Sequence, residues 1–310
     1  MLNFLKYFLI IQERTKHMNT KNIFLFFFIF STKNLFLTTP ILIITHAFNR
    51  PDFIEIQQKT FKKFFKDPYT FIVFNDGRDP VLRNKIQETC EKLDINCIDI
   101  PQAIHDKPYL YRRKGEDYNI PSVRTANAVQ YSLDILGFEH NGNVMIIDSD
   151  MFLIKKFSIF DFLKDYDFAG VPQVRGIRNY VWNGLLFFNM KTIPNKFDMN
   201  FNCGIVEDQC TDTGGYMYYY LKNNPLIRIR YFSASYLNDF NQEYFESSLV
   251  DEKFKKSFMD FIKQAPDKIE FFLDYTFLHY RSGGNWNNQS ENYHRLKTVI
   301  FNTFIDSILE

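Results

Sequence analysis

The sequence predicts an α/β fold in which a mostly parallel central sheet is flanked by helices. Between Pro40 and Ile147, short apolar stretches of strand length alternate with longer stretches of helical periodicity. This alternation is typical of a parallel sheet with helices on its faces. The stretch Val144–Ile147 is apolar throughout, as expected of a strand that is buried on both faces. At 310 residues the chain is long enough for one large domain or two small ones.

Charge and cysteine spacing exclude some classes of partner. The formal net charge is +1 at pH 7, so no overall field favours nucleic acid or an anionic membrane. The four cysteines form no C-x-x-C pair, and the six residues between Cys203 and Cys210 are too many for a zinc knuckle. That pair is compatible with either a disulfide or free thiols, and we expect reduced or incidental cysteines. We also expect no nucleic-acid partner.

The first 38 residues differ in character from the rest. Apolar Leu2–Ile11 and Ile23–Phe30 are separated by polar Gln12–Asn22, and neither approaches the roughly 20 apolar residues that span a bilayer. Positions 18–30 resemble the charged and apolar regions of a signal peptide, but no small-x-small cleavage site follows. A leader, an uncleaved membrane anchor and an upstream extension of the reading frame stay open. A cytoplasmic, membrane-associated or secretory-pathway location stays open with them.

Helix signals separate the predicted strands of the first half. Pro51 suits the first turn of a helix, and Ser122 is the expected N-cap of a later one. The polar segment Lys107–Asn119 is expected to be a loop. The predicted strands are Ile41–Thr45, Tyr69–Phe74, Asn96–Ile100 and Val144–Ile147, and the predicted helices are Pro51–Phe64, Pro80–Leu93 and Val123–Leu136.

The second half contains shorter and more varied predicted elements. Cys203–Gly215 is rich in acids and glycine and is expected to be a loop, whereas Tyr293–Leu309 is expected to be a surface helix. No repeat and no linker composition is visible, so we expect one domain from residue 39 to 310. The other predicted elements are strands at Phe168–Pro172, Trp182–Met190 and Ile227–Phe232, helices at Tyr216–Leu221 and Glu243–Phe261, and a segment from Phe271 to His279.

Three of the predicted strands end in polar residues, namely Asn49-Arg50, Asp76-Gly77 and Asp148–Asp150. Ligands of parallel sheets bind beyond the carboxyl ends of the strands, so these groups should lie along one edge. Two carboxylates just after a buried strand are costly to place without a cation, and both can reach one hard metal ion. The alternative is a turn in which Asp148 accepts backbone hydrogen bonds and Asp150 faces solvent.

Together these motifs resemble the nucleotide-sugar glycosyltransferases of the GT-A fold, over roughly Pro40 to Trp286. The chain departs from that family at residues 284–286, which are Gly-Asn-Trp where members usually carry Lys before Pro-Trp. Six features carry the resemblance. In the first half they are ILIITHAFNRPD at Ile41–Asp52 as first strand and nucleotide-binding loop, Asp76 in FNDG as the acid against the uracil or ribose, and Asp148–Asp150 as the D-x-D metal motif. In the second half they are WNGLLFFNM at Trp182–Met190 as the pocket strand, Asp212–Gly215 as the acceptor-side loop, and HYRSGGNW at His279–Trp286 as the segment with a metal-binding histidine.

The resemblance implies a metal-dependent enzyme that moves a sugar from a nucleoside-diphosphate sugar to a hydroxyl group. UDP is the expected nucleotide, and a glycan, glycoprotein or glycolipid is the expected acceptor. A divalent cation would stabilise the charge that develops on the leaving pyrophosphate. Asp148, Asp150 and His279 are the expected ligands of Mn²⁺ or Mg²⁺, and the imidazole shifts the preference towards Mn²⁺. The residues expected to hold the donor are Thr45, Asn49, Arg50, Asp76, Arg124, Asp148, Ser149, Asn183, Arg281, Gly283 and Trp286.

The acceptor side is expected at the acidic loop Asp212–Gly215, which resembles the acceptor loop of the family. If the reaction inverts the configuration of the sugar, Asp212 or Asp208 would be the general base, and we prefer this outcome. If the reaction retains configuration, Asp212 would orient the acceptor or the donor. The resemblance also divides the domain into a nucleotide-binding half (about 39–155), an acceptor half (about 156–290) and a C-terminal helix (291–310).

Two other classes of function compete with this hypothesis. A sugar nucleotidyltransferase needs a glycine-rich phosphate loop after the first strand, but His46–Pro51 contains no glycine. An inactive sugar-binding module is expected to have lost its metal-site acids, yet Asp148 and Asp150 are both present. Individual residues also have structural alternatives: His279 could be a core histidine, Asp76 a turn residue and Arg124 half of an exposed salt bridge.

Overall fold

Alternating strands and helices build the first half of the chain. The computed structural model describes residues 39–106, 121–237, 240–247, 250–265, 269–284 and 288–310. The leader at 1–38, the loop predicted at Lys107–Asn119, and Trp286 therefore lie outside the described residues. The first elements are β1 (Ile41–Ala47), α1 (Pro51–Phe64), β2 (Tyr69–Asn75), α2 (Pro80–Lys92), β3 (Asn96–Asp99), α3 (Gln102–His105), α4 (Pro121–Ser132) with a π-helical turn at Leu133–Gly137, β4 (Asn143–Ile147) and β5 (Met151–Leu153).

Shorter elements make up the second half. The strands are β6 (Phe168–Arg175), β7 (Arg178–Asn189), β8 (Gly204–Val206), β9 (Gln209–Thr211), β10 (Ile229–Tyr231), β11 (Ala234–Tyr236), β12 (Glu270–Phe272) and β13 (Phe277–His279). The helices are α5 (Ile159–Phe162), a 3₁₀ turn at Lys196–Asp198, α6 (Met217–Asn223), α7 (Gln242–Ser247), α8 (Glu252–Gln264) and α9 (Glu291–Leu309). Residues Pro40 to Glu310 form one compact unit.

The main sheet has seven strands in the order β10-β6-β7-β4-β1-β2-β3. Only β7 runs antiparallel to its neighbours β4 and β6, and the other pairings are parallel. All five residues of β4 are buried, because this central strand is covered on both faces. The predicted α/β fold with a mostly parallel sheet is therefore confirmed, and β1, β2, β4 and β6 end at one edge of it.

A second, four-stranded sheet brings the late part of the chain to that edge. Its order is β11-β12-β13-β5, and every pairing in it is antiparallel. The strand β5 begins directly after the Asp148–Asp150 turn, and β13 pairs with it so that His279 lies opposite Met151. This pairing joins two segments that are far apart in the sequence. It places His279 beside the acid motif.

An aromatic core fills the space between the second sheet and the C-terminal helices. Phe245 stacks on Phe258 with ring centroids 4.5 Å apart, and Phe261 stacks on Phe304 at the same distance. The prediction that Tyr293–Leu309 is a surface helix is therefore wrong in one respect, since one face of α9 is part of the core. Its buried apolar residues are Phe301, Phe304, Ile305 and Ile308.

Three other local predictions need correction. Ser122 lies inside α4, because Pro121 already occupies a helical position, so it is not the N-cap. The expected loop at Cys203–Gly215 contains the hairpin β8–β9, whose turn residues Glu207 and Asp208 both have positive φ (44° and 69°). Such a turn normally carries Asn-Gly or Asp-Gly, so no local signal marks this hairpin. The helical stretch predicted at Glu243–Phe261 is two helices, α7 and α8.

None of the helices in the described part of the chain combines the length and apolar character that crossing a bilayer requires.

Candidate active site

The acid motif sits in a tight turn between β4 and β5. The Asp148 N–H donates to the Gly184 carbonyl at 2.8 Å, which fixes the turn against β7. From α1, Gln57 Nε2 donates to the carbonyls of Asp148 and Met151 at 2.9 and 3.0 Å. Both ends of the turn are thus held by a single fully buried side chain. The backbone is satisfied from outside the motif, so the two carboxylates are left to face other groups.

His279 lies beside the two acids of the motif. Its Nε2 lies 3.2 Å from Asp150 Oδ1, and its Nδ1 lies 2.8 Å from Glu270 Oε2. Ligand atoms of Asp148, Asp150 and His279 all lie within 4.8 Å of one another. The predicted convergence of these three side chains on one edge of the sheet is confirmed. Glu270 was not predicted, because its contact depends on the pairing of β12 with β13.

Burial and mutual repulsion perturb these groups. Burial, followed by the charge of Asp150, raises the pKa of Asp148 to about 7. Burial opposes the charged form of His279, but Asp150 and Glu270 outweigh it and raise the pKa of the imidazole to about 10. For Asp150, burial is likewise outweighed by His279, and its pKa is lowered. Because burial disfavours the charged carboxylates, a bound cation stabilises the cluster.

The donor atoms fit a divalent cation. Two carboxylates and one imidazole are the kinds of ligand that Mn²⁺ accepts, and three protein ligands leave positions for phosphate oxygens and water. Glu270 contacts the second ring nitrogen of His279, as outer carboxylates do when they orient a metal-binding histidine. The chemistry of the donor set therefore suits Mn²⁺ or Mg²⁺.

The segment after β13 closes one side of the cluster. Arg281 and Ser282 both adopt positive φ (56° and 61°), and the Gly283 N–H then donates to Asp150 Oδ2 at 3.0 Å. A Cβ on Gly283 would lie 2.8 Å from the Asp150 Cβ, so only glycine allows this approach. Arg281 reaches Glu270 at 3.2 Å, and the buried Lys297 of α9 donates to the Arg281 carbonyl at 3.1 Å.

The cluster opens into a cavity of about 790 Å³. The cavity lies at the edge where β1, β2, β4 and β6 end, as expected for a ligand site of a parallel sheet. Trp182 forms part of its wall and stacks on Phe272 with ring centroids 5.5 Å apart. Of the residues predicted from the sequence, the cavity is lined by Asp76, Arg124, Asp148, Ser149, Asp150, Asn183, Asp212, His279 and Arg281.

At one end of the cavity, Asp76 and Arg124 bind each other. Arg124 Nε and Nη2 donate to the two oxygens of the Asp76 carboxylate at 2.9 and 2.6 Å. His105 Nε2 lies 2.8 Å from the same carboxylate, and Phe48 packs against the Arg124 guanidinium at 5.2 Å. The alternative of an exposed Arg124 salt bridge is wrong, since both partners are buried. His105 was missed because nothing local links it to Asp76.

Four predicted donor-binding residues do not line the cavity. Thr45 is completely buried and its hydroxyl donates to the Ile147 carbonyl at 2.9 Å. The Arg50 guanidinium packs on Phe53 at 3.7 Å and pairs with Asp52. The strand β1 extends two residues beyond its predicted end, to Ala47, so Thr45 lies inside the strand and not at its end. Asn49 donates to the Gly284 carbonyl at 3.3 Å, and Gly283 contributes its N–H to Asp150.

On the acceptor side, Asp212 lines the cavity and Asp208 does not. The Asp212 N–H donates to the Tyr180 hydroxyl at 3.3 Å, and the Thr213 hydroxyl donates to the Ser122 carbonyl at 2.7 Å. Asp208 lies in the β8–β9 turn, where its positive φ serves the backbone reversal. Of the two candidate general bases, only Asp212 lines the cavity.

Comparison with known proteins finds likeness at the level of three-dimensional structure. No family model and no curated protein matches the sequence. The galactosyltransferase LgtC, in complex with donor and acceptor sugar analogues, is 15% identical over 51% of this chain and 62% of its own, with a TM-score of 0.32. The apo glycosyltransferase GlyE from Streptococcus pneumoniae TIGR4 is 16% identical over 88% of this chain and 62% of its own, with a TM-score of 0.40.

A third similar structure contains a metal ion and a nucleotide. Glucosyl-3-phosphoglycerate synthase from Mycobacterium tuberculosis, in complex with Mn²⁺, UDP and glucosyl-3-phosphoglycerate, is 13% identical over 49% of this chain and 57% of its own, with a TM-score of 0.31. The chain thus spans about three fifths of the length of these structures. Likeness this low does not establish a function, so the function is inferred from the geometry of the site.

Proposed function

We propose that the chain is a metal-dependent glycosyltransferase. It would move a sugar from a nucleoside-diphosphate sugar, with UDP as the expected nucleotide, to a hydroxyl of a glycan, protein or lipid. The observation that carries this proposal is the convergence of Asp148, Asp150 and His279 within 4.8 Å, at the mouth of a cavity of about 790 Å³. A cavity of this size accommodates a nucleotide sugar.

The acid–histidine cluster would hold the cation. Asp148, Asp150 and His279 would be its ligands, and Glu270 would fix the orientation of the imidazole. When bound, a divalent cation neutralises charge on the diphosphate leaving group as a Lewis acid. The Arg281 side chain, which also lines the cavity, would add a second positive group near the phosphates.

The remaining lining residues divide the cavity into donor and acceptor regions. Asp76 and Arg124 would contact the nucleoside, while Ser149 and Asn183 would contact diphosphate or sugar. If configuration inverts, the Asp212 carboxylate would accept the proton of the attacking hydroxyl. If configuration is retained, Asp212 would orient the acceptor or donor instead.

Metal-dependent binding of nucleotides provides the test. The full chain is titrated with UDP and a panel of nucleotide sugars, with and without Mn²⁺, and binding is measured by calorimetry. We expect Mn²⁺-dependent binding of one nucleotide, and hydrolysis or transfer of its sugar. The variant Asp150→Asn should weaken Mn²⁺ binding beyond the roughly 10- to 100-fold loss typical of removing an outer-shell partner. Asp260→Asn, an exposed acid on α8, is the matched control and should bind as the wild type does.

Other outcomes would distinguish the rival functions. If no nucleotide shows metal-dependent binding, the proposal is wrong. Binding without transfer or hydrolysis for any donor would instead indicate an inactive sugar-binding module. Formation of a nucleotide sugar from a nucleoside triphosphate and a sugar 1-phosphate would indicate a nucleotidyltransferase.

A further inference from the structure

Two arginines face each other at the far end of the acceptor side. The strands β6 and β7 are joined by the two-residue turn Gly176-Ile177, in which Gly176 has a φ of 63°. Arg175 and Arg178 are the last cross-strand pair before this turn. Side chains directly opposite each other on paired strands project from the same face, and like charges in that position are destabilising. The pair therefore has a cost that the hairpin itself does not explain.

Neither arginine forms an ion pair among the described residues, although the charges of Asp212 and Glu207 act on Arg175 and Arg178 respectively. Arg78, Arg230 and Arg295 are also without an ion pair in that part of the chain, but only Arg175 and Arg178 lie directly opposite each other on paired strands. Arg178 donates to the Glu207 carbonyl, but its Nε is buried and has no hydrogen-bond partner in the same described ranges. This buried donor is therefore available to an additional hydrogen-bond acceptor.

Arg175 is connected to the acceptor loop. The Tyr180 hydroxyl is the main factor that raises the pKa of its guanidinium, and the charge of Asp212 contributes as well. The same hydroxyl accepts the N–H of Asp212 at 3.3 Å. One tyrosine hydroxyl thus links the arginine to the residue expected to face the accepting hydroxyl. Arg175 lies next to the reacting end of the cavity and is not an isolated surface charge.

The strand β6 leads from the cavity to the arginine pair. Val171 and Gln173 line the cavity, and Arg175 is the next residue on that face of the strand. Residues on one face are separated by about 7 Å along a strand, which is comparable to the length of one sugar unit. Gln173 Oε1 is buried and finds no hydrogen-bond donor within the described part of the chain, so it is available to an acceptor hydroxyl.

We propose that Arg175 and Arg178 form a subsite for an anionic group of the acceptor, about one sugar unit from the accepting hydroxyl. The group is a phosphate or a carboxylate, because the planar guanidinium fork binds both oxyanions through paired hydrogen bonds. An oxyanion between the two arginines removes their mutual repulsion, which a neutral sugar cannot do. This inference rests on the proposed function and extends it by naming the chemical class of the acceptor.

Direct binding of three small probes tests the subsite. Glycerol 3-phosphate carries the phosphate, glucuronate carries the carboxylate, and glucose is the neutral reference. Binding to the full chain is measured by ligand-observed NMR in the presence of UDP and Mn²⁺. We expect one anion to bind at least roughly ten-fold more tightly than glucose, as charge-assisted hydrogen bonds provide. That affinity should fall as NaCl is raised, because the arginines are near the surface.

Variants assign the binding to the two arginines. Arg175→Gln and Arg178→Gln should each reduce the affinity for the preferred anion at least roughly ten-fold. Arg175→Lys keeps the charge but loses the fork, so its affinity should lie between those of Arg175→Gln and the wild type. Arg295→Gln removes an exposed arginine of α9 and should bind the anion as the wild type does. Circular dichroism and thermal unfolding confirm that each variant is folded.

The result also separates this inference from the proposed function. If glucose binds as tightly as both anions, or if the anion affinity is unchanged in Arg175→Gln and Arg178→Gln, the subsite is wrong. Metal-dependent UDP binding by the wild-type chain is a separate measurement, and it can succeed when the subsite fails. Preference for glycerol 3-phosphate identifies a phosphorylated acceptor, and preference for glucuronate identifies a uronate-containing one. Either preference, if lost in the arginine variants, supports the subsite.

Discussion

Gln57 shows how one residue outside the acid motif controls the motif's geometry. It lies on α1, is completely buried, and spans the turn by donating to the carbonyls of Asp148 and Met151. A buried carbonyl without a donor is unfavourable, so the turn depends on this amide. Nothing in the sequence distinguishes Gln57 from the other polar residues of an amphipathic helix. The function of Gln57 became visible only in the folded chain.

We expect Gln57→Leu to destabilise the protein by about 1 to 3 kcal/mol. The substitution preserves much of the side-chain volume but removes the Gln57 donor from both carbonyls, and in the part of the chain that the structure describes only that of Asp148 keeps another donor, the Met151 N–H at 3.1 Å. One buried carbonyl left without its donor costs about 1 to 3 kcal/mol. The same loosening of the turn should weaken Mn²⁺ binding. The measurements are urea denaturation without metal and Mn²⁺ titration of the folded protein.

Gln58→Leu is the matched control for this prediction. Gln58 is the next residue of α1, and the side chain that donates to the two carbonyls of the turn is that of Gln57. Its free energy of unfolding should change by no more than about 0.5 kcal/mol. Equal effects of the two substitutions would show that the turn does not depend on Gln57.

At the scale of the element, the loop that carries Asp212 is fixed by a glycine. Gly214 has a φ of 86°, and its N–H donates to the Phe201 carbonyl at 2.8 Å. A Cβ at this position would lie 2.2 Å from the Val181 carbonyl oxygen. The loop that carries Asp212 can therefore pack against β7 only when residue 214 is glycine.

Gly214→Ala should lower the free energy of unfolding by more than the cost of a positive φ alone. The left-handed conformation costs a non-glycine residue about 1 to 2 kcal/mol, and the clash with the Val181 carbonyl adds to it. Gly176→Ala is the control, since Gly176 also has a positive φ, but a Cβ there would come no closer than 3.4 Å to Arg178 Nη1. Urea denaturation should show a larger loss for Gly214→Ala, and similar losses would contradict the role of the close contact.

The C-terminal helix links the core to the site at the scale of the whole molecule. The buried face of α9 packs on α8, where Phe304 stacks on Phe261 with centroids 4.5 Å apart. Two turns earlier, Lys297 holds the Arg281 carbonyl and lies over the Tyr280 ring at 4.4 Å. The segment that closes one side of the acid–histidine cluster is therefore supported by α9. This helix is part of the structure on which the site depends.

We expect Phe304→Ala to destabilise the protein by about 3 to 5 kcal/mol, as large-to-small changes of buried aromatic residues do. Val299→Ala is the control on the same helix, because Val299 is 59% exposed. It should change the free energy of unfolding by about 0.5 kcal/mol or less. The measurement is urea denaturation of both variants. If α9 were only a surface helix, the two effects would be similar.

Much of the fold could be predicted because its signals are local. Each of the strands β1, β2 and β4 is a short apolar stretch, and α1 starts at the proline that the sequence indicates. The acid motif could be predicted because a buried strand is followed directly by two carboxylates. The hairpin β8–β9 could not be predicted, because its turn residues Glu207 and Asp208 carry no hairpin signature.

The sequence by itself determined the α/β class, the succession of the main strands along the chain and the position of the acid motif, since these depend on periodicity and on residues adjacent in the chain. Tertiary structure decided which polar groups meet. Asp76 pairs with Arg124 and His105, Glu270 holds His279, and Asp212 rather than Asp208 faces the cavity. These contacts join residues on different strands and loops. Their distances are set by sheet pairing and packing, which no local pattern encodes.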